Sequence, residues 1–293
     1  MRTIAISHKA CHDGLAGAWV ARQYDKNIEV FFSSRQHEWR ELLSLNPGDF
    51  VYFIDFTPRP ADLEALIGRS VECLILDHHE SDVLDMTDFD AKNNTSLMRF
   101  CKFDMKNAGC MVAWNHFFPG KTPPKMLEYI AVADLWTWRG PKDYAVVQYI
   151  RTLLDPDATI DEFNSLLEKF DEDTASNLGS VVYNRVLKDS KHTAKHFCIM
   201  DFDGVSVAAV NASLYQSEVG HELAQKSPSG IGVVYNFVPE KNYVRFSVRG
   251  DGSNTFAKKY NGGGHPQAAG FTLSIEQFNK YLVTAKKNAI MEA

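Results

Sequence analysis

Val71-Glu72-Cys73-Leu74-Ile75-Leu76-Asp77-His78-His79 decides the reading of this chain. A short, mainly apolar run bounded by polar sequence reads as a buried strand. Here it stops at a carboxylate and two imidazoles, so it delivers three metal-ligating groups to the edge of a sheet. Open α/β sheets bind their ligands at the carboxyl ends of the strands. Other segments end in the same way. Thr3-Ile4-Ala5-Ile6-Ser7 is followed by His8, with Asp13 a little beyond, and Val51-Tyr52-Phe53-Ile54 is followed by Asp55. The helical run Tyr129-Ile130-Ala131-Val132-Ala133 ends at Asp134.

Carboxylate oxygens and neutral imidazole nitrogens suit Mn²⁺ better than a thiolate-rich set would. Two divalent ions bridged by one carboxylate can orient a phosphate and lower the pKa of an intervening water. Each residue alone also has an ordinary reading: His8 as a capping or core hydrogen-bonding group, Asp55 as an Asx-turn residue before Thr57-Pro58, Asp134 as a partner of Arg139. Recurrence at several strand ends carries more weight than any single position. His78-His79 is the hardest pair to dismiss, because adjacent strand-end residues point in different directions.

The first half of the chain alternates strand and helix: strands at 3–7, 28–32, 50–56 and 71–76, a further strand at 96–100, and helices at 14–24 and 60–67. Short apolar strands separated by helices indicate a largely parallel sheet covered on both faces. From 108 to 187 the pattern is helical, at 108–118, 124–134, 142–154 and 160–188. The polar stretch 189–196 reads as a linker. Beyond it, strands at 197–200, 205–210, 231–237 and 243–248 and helices at 216–226, 253–260 and 275–291 indicate a second α/β domain. The expected domains are therefore 1–188 and 197–293.

The chain has 293 residues, 45% hydrophobic and 23% charged, with a formal net charge of −6. Mild acidity argues against binding a long nucleic-acid tract but allows a small phosphate-bearing substrate. No stretch approaches the roughly 20 apolar residues needed to cross a bilayer. A strand begins at once, so no signal peptide is expected, and five scattered cysteines fit a cytoplasmic setting.

Gly262-Gly263-Gly264-His265 lets the backbone turn through φ values closed to other residues and lets a ligand approach its amides. Consecutive N–H groups can form an anion nest, with His265 as a further donor. Arg245 and Arg249, four apart on one strand, share a face. Arg249 is at the strand end, and its planar fork suits a phosphate, whereas Arg245 reads as surface charge. Trp114 reads as core. Trp136 and Trp138, just past Asp134, are candidates for base stacking.

Taken together, these motifs resemble the DHH/DHHA1 phosphoesterases over nearly the whole chain. Asp77-His78-His79 carries the DHH motif, Asp55 stands at the bridging-aspartate position, and Asp134 lies in an Ala-Asp-Leu-Trp context. Gly262-Gly263-Gly264-His265-Pro266-Gln267-Ala268-Ala269-Gly270-Phe271 matches the DHHA1 signature. The resemblance implies an N-terminal DHH domain with a helical extension and a smaller DHHA1 domain. By carry-over, His8 and Asp55 hold one Mn²⁺, and Asp55, His78 and Asp134 help hold the other, with Mg²⁺ or Co²⁺ as substitutes. Asp77 orients or coordinates from close by, His79 contacts the transferred phosphate, and Asp55, Asp77 and His79 form the catalytic set.

The implied substrate contacts are Arg249, Gly262, Gly263, Gly264 and His265. Family first motifs supply a histidine and two aspartates. This chain reads His8-Lys9-Ala10-Cys11-His12-Asp13-Gly14, so Asp13 is carried over as a ligand, and His12 or water takes the remaining place. Cys11 reads as a packed thiol. The implied activity is hydrolysis of short oligonucleotides or linear dinucleotides. Cyclic nucleotides, polyphosphate, other small phosphoesters, or nucleotide binding without catalysis are the alternatives. The resemblance also allows a homodimer.

Overall fold

The computed structural model describes residues 1–33, 39–282 and 286–287. They fall into two compact units, 1–183 and 184–293. The first unit contains, in chain order, β1 (Thr3–His8), α1 (His12–Tyr24), β2 (Glu29–Ser33), α2 (Trp39–Leu42), β3 (Phe50–Ile54), α3 (Pro60–Gly68) and β4 (Glu72–Asp77). Then follow α4 (Glu80–Asn93), β5 (Cys101–Phe103), α5 (Gly109–Phe117), α6 (Lys125–Asp134), α7 (Pro141–Leu153) and α8 (Ile160–Glu168), while α9 (Glu172–Thr193) begins in this unit and continues past residue 183 into the second.

The five strands form one parallel sheet in the order β2-β1-β3-β4-β5. Alternating side chains split between two cores. Ile4, Ile6, Val51, Phe53 and Ile75 pack with residues of α3 and α4. Ala5, Ile54 and Leu76 pack with α1, α5 and α6 on the other face. Chain order reverses between β1 and β3, which is where a doubly wound sheet opens a crevice at its carboxyl edge. His8 closes β1 and Asp55 follows β3, so two candidate ligands flank that switch point.

The second unit contains β6 (Cys198–Phe202), β7 (Val205–Asn211), α10 (Gln216–Ala224), β8 (Gly232–Val238), β9 (Tyr243–Arg249), α11 (Ser253–Lys258), β10 (Gly263–His265), β11 (Ala268–Ser274), α12 (Ile275–Leu282) and β12 (Lys286–Lys287). Its sheet runs β10-β11-β9-β8-β7-β6-β12, antiparallel except for the β7–β8 pair. An aromatic core of Phe202, Phe246, Phe256, Phe271 and Phe278 fills one face.

Several expectations are corrected. Residues 80–93 form a helix that the sequence conceals, because Met86 is its one buried residue and no apolar stripe marks it. The strand expected at 96–100 begins at Cys101. Leu97–Phe100 is a 3-10 turn, pinned where the Asp90 carboxylate accepts from Thr95 Oγ1, Leu97 N and Met98 N. The helical stretch 160–188 is broken after Glu168: α8, whose start is boxed by Thr159 and Glu162, ends there, and α9 begins at Glu172. Residues 189–193, expected in a linker, are the last turns of α9, and 194–196 are 3-10. The last helix ends at Leu282 rather than near 291, and Lys286–Lys287 pairs with β6. Residues 283–285 and 288–291 lie outside the described residues.

The glycine-rich segment is a strand, not a turn. Gly263, Gly264 and His265 pair with Gly270, Ala269 and Ala268. A Cβ at Gly262 would lie 2.2 Å from the Gly270 carbonyl oxygen, and one at Gly264 would lie 2.6 Å from that of Ala268. Those two glycines are therefore required by close backbone approach, while a Cβ at Gly263 would meet open space.

Candidate metal centre

The centre is assembled from β1, the turn into α1, the residue after β3, the end of β4 and the end of α6. Ser7 Oγ ties the first parts together, donating to the carbonyls of Gly14 (2.7 Å) and Ile54 (3.1 Å). Asp55 sits in the left-handed region at φ 53°, which aspartate tolerates better than most residues. Its amide still donates to Leu76 O, so the carboxylate leaves the sheet edge in a fixed direction. Ala10 (φ 56°) and Trp136 (φ 57°) are also left-handed, and such conformations persist only where the surroundings over-determine them.

Asp55 presents its two oxygens to different histidines. Oδ1 lies 3.2 Å from His78 Nε2, and Oδ2 lies 3.5 Å from His8 Nδ1. His78 Nε2 also lies 3.4 Å from Asp134 Oδ2 and 3.8 Å from Asp13 Oδ2. Among the described residues of the first unit, three sets of donors have their atoms mutually within 4.8 Å: His8, Cys11 and Asp55; Asp13, His78 and Asp134; and Asp55, Asp77, His78 and His79. Asp13, Asp55, Asp77 and His78 are each at most 2% exposed.

Asp77 is held by three donors: Thr57 Oγ1, the His78 amide (2.7 Å) and His79 Nδ1 (2.7 Å). It thereby fixes which edge of the His79 ring faces outward. Thr57 had stood in the sequence only as part of a turn, and its role depends on β3 lying beside β4. Asp13 accepts from the amides of Gly109 (2.6 Å) and Cys110 (2.9 Å) at the start of α5. That helix N-terminus takes an internal carboxylate as its anion.

His12 does not join the cluster. Its Nε2 donates to the Leu154 carbonyl at 3.0 Å. Successive helical residues project about 100° apart, so Asp13 and its neighbour at the start of α1 cannot both face the sheet edge. Arg139 pairs with Asp143 rather than with Asp134. Trp114 is buried, as expected of a core residue. Trp138 stacks on Tyr144 at 4.0 Å and 16°, and Trp136 meets it edge-on, so the Trp138 face is already used in packing.

Burial pushes Asp13 well above the carboxylate range, reinforced by Asp55 and Asp134, and burial lifts Asp134 to about 6. At Asp55 the effect of burial is outweighed by the facing imidazoles of His78 and His8, which hold it below the usual range. Burial disfavours both imidazolium ions as well, yet Asp55 brings His78 up to about 9, and Asp77 brings His79 up to about 10. Asp55 Oδ2 and Asp134 Oδ2, both sealed from solvent, accept no hydrogen bond. Imidazole nitrogens, crowded carboxylates and two unmet oxygens are the donor set that a pair of divalent cations fits.

The His79–Asp77 pair has a measurable consequence in metal-free protein. A histidine whose folded pKa is raised contributes stability that is complete below its unfolded value and lost as pH rises through the folded one. The window runs from about 6.5 to about 10. The melting temperature of metal-free protein is expected to fall across it, and His79→Gln to flatten that fall. A wild-type profile that is flat over this window would contradict the pairing.

In the second unit, His265 and Arg249 both lie opposite Ala268, one on each side of it, so the three share a face of the sheet. Arg249 is oriented by Nη2 donating to Ser217 Oγ at 2.7 Å and by Nη1 donating to Val248 O at 2.8 Å. Arg245 is exposed, as expected of a surface charge. Among the described residues, no helix is long and apolar enough to cross a membrane.

No family model matches the chain. Uncharacterized protein R106 of Acanthamoeba polyphaga mimivirus is 23% identical over 92% of this chain and 67% of its own length. Among solved structures, the chain is similar to RecJ in complex with Mn²⁺ from Thermus thermophilus, at 14% identity and a TM-score of 0.49, covering 97% of this chain and 51% of that one. It is also similar to the pGpG-specific phosphodiesterase PggH from Vibrio cholerae, at 13% identity and a TM-score of 0.49 over 97% and 98% of the two chains. The PF0399 DHH domain is similar at 12% identity and a TM-score of 0.48, over 96% and 85%.

Proposed function

We propose that this chain is a divalent-metal-dependent phosphodiesterase of the DHH/DHHA1 type that hydrolyses short oligonucleotides or linear dinucleotides. The observation that carries the reading is Asp55, whose two oxygens face His8 and His78 separately, the arrangement of a bridging ligand. His8 and Asp55 would hold one Mn²⁺, and Asp55, His78, Asp134 and Asp13 the other. Held by these residues, such ions would neutralise phosphate charge and supply an activated water at neutral pH.

The remaining work belongs to the chain's own side chains. Asp77, gripped by Thr57 and the His78 amide, holds His79 by Nδ1 and favours its cationic form, in which Nε2 would donate to a phosphate oxygen. Arg249, His265 and Gly263 of the second unit would bind a substrate phosphate, Arg249 through a fork already oriented by Ser217. The five free cysteines suit a cytoplasmic enzyme.

Purified protein with Mn²⁺ is to be assayed against oligonucleotides of increasing length, the linear dinucleotide pGpG, cyclic dinucleotides and polyphosphate. The expected result is turnover greatest on the shortest linear substrates and its loss with chelator. Inactivity on all of them with two ions bound would refute the enzyme reading, and preference for polyphosphate or cyclic substrates would refute the substrate class. Arg249→Ala is expected to raise KM about ten- to a hundredfold, the scale of one lost charge-assisted contact, with metal content unchanged. Loss of metal along with affinity would show that Arg249 is structural.

A further inference from the structure

The His8 side of Asp55 has one donor that the phosphoesterase reading does not use. Asp13, the carboxylate retained in the first motif, groups with His78 and Asp134 rather than with His8 and Asp55. His8 Nδ1 and Asp55 Oδ2 stand 3.5 Å apart. Two donors on a tetrahedral ion with bonds of about 2.0–2.1 Å are separated by about 3.4 Å. Asp55 Oδ2 is buried and accepts no hydrogen bond, so a buried acceptor is directed at this spot. The third donor there is sulfur: Cys11 lies within 4.8 Å of both partners, brought round by the left-handed turn at Ala10.

We propose that Cys11 is a thiolate ligand of the ion held by His8 and Asp55, so that the two metal positions differ in kind. This rests on the metal-centre reading above. One position would then offer nitrogen, oxygen and sulfur, and the other, around His78, Asp134 and Asp13, nitrogen and oxygen alone. Sulfur favours Zn²⁺ or Co²⁺ over Mn²⁺, so the first position would retain zinc or cobalt under conditions in which the second exchanges manganese.

The test uses the full chain loaded with Zn²⁺ or Co²⁺. X-ray absorption at the zinc edge is expected to show one sulfur per two zinc ions, at about 2.3 Å. The cobalt form is expected to show a near-ultraviolet thiolate-to-cobalt charge-transfer band. Cys11→Ser should lose the sulfur scattering and the band, and weaken zinc binding at one of two sites about ten- to a hundredfold or more. Cys110→Ala should keep all three, which separates Cys11 from the neighbouring buried thiol. A shell of nitrogen and oxygen only, with two ions bound to wild-type protein, would overturn the thiolate inference and leave the metal centre standing. Failure to bind either metal would overturn both.

Discussion

Asp55→Asn is expected to cost at least one metal site and most of the turnover together. The side chain keeps its size, but one oxygen becomes an NH₂ that cannot ligate a cation, and a bridging role needs both oxygens. Oδ1 and Oδ2 face different histidines, so neither rotamer of the amide restores the pair. The expected loss of activity is at least about a hundred- to a thousandfold, the scale of removing one preorganised electrostatic contact from an active site. Isothermal titration with Mn²⁺ should show at least one site gone. Circular dichroism should show the fold retained, because the Asp55 amide, which continues the strand pairing, is untouched. Two intact sites in the variant would remove Asp55 from the centre.

The second large effect is expected from a residue that carries no chemistry. A Cβ on Gly109 would lie 2.5 Å from Asp55 Cβ, 2.9 Å from Asp55 Cα and 3.0 Å from Asp13 Oδ2. None of these is the end of a flexible chain, and Asp55 already occupies a left-handed conformation. Gly109→Ala must therefore move α5 away from the sheet edge or displace Asp55 and Asp13. Overpacking of this kind costs about 1–3 kcal/mol of stability, and a displacement of about 1 Å at reacting groups costs about a hundredfold in rate. Gly68→Ala, where a Cβ meets nothing within 4 Å, serves as the control. Equal melting temperatures and equal metal affinities for the two variants would contradict the packing described here.

The reach of sequence reasoning follows the kind of information each residue carries. Strand ends were legible because an apolar run that stops at Asp77-His78-His79 is a local pattern. The parallel sheet followed from the alternation of short apolar strands with helices. Helix α4 was not legible, because a helix with a single buried residue lacks the stripe that periodicity detects. Nor was the reason for Gly262 and Gly264, which depends on the backbone of a strand met later in the chain. The same holds for Thr57 and Gly109, whose partners lie on other elements.

The sequence by itself determined the α/β class, the strand ends and the residue types that converge there, because hydrophobic period and chemical identity are properties of consecutive residues. Tertiary structure alone decided which of those residues meet. Placing β3 between β1 and β4 aims the two oxygens of Asp55 at His8 and His78, the helical turn sends His12 to Leu154, and α5 fastens Asp13. The left-handed turn at Ala10 brings Cys11 to the group its sequence context gave no reason to expect. Convergence depends on the register of strands separated by whole helices, and no local pattern encodes that register.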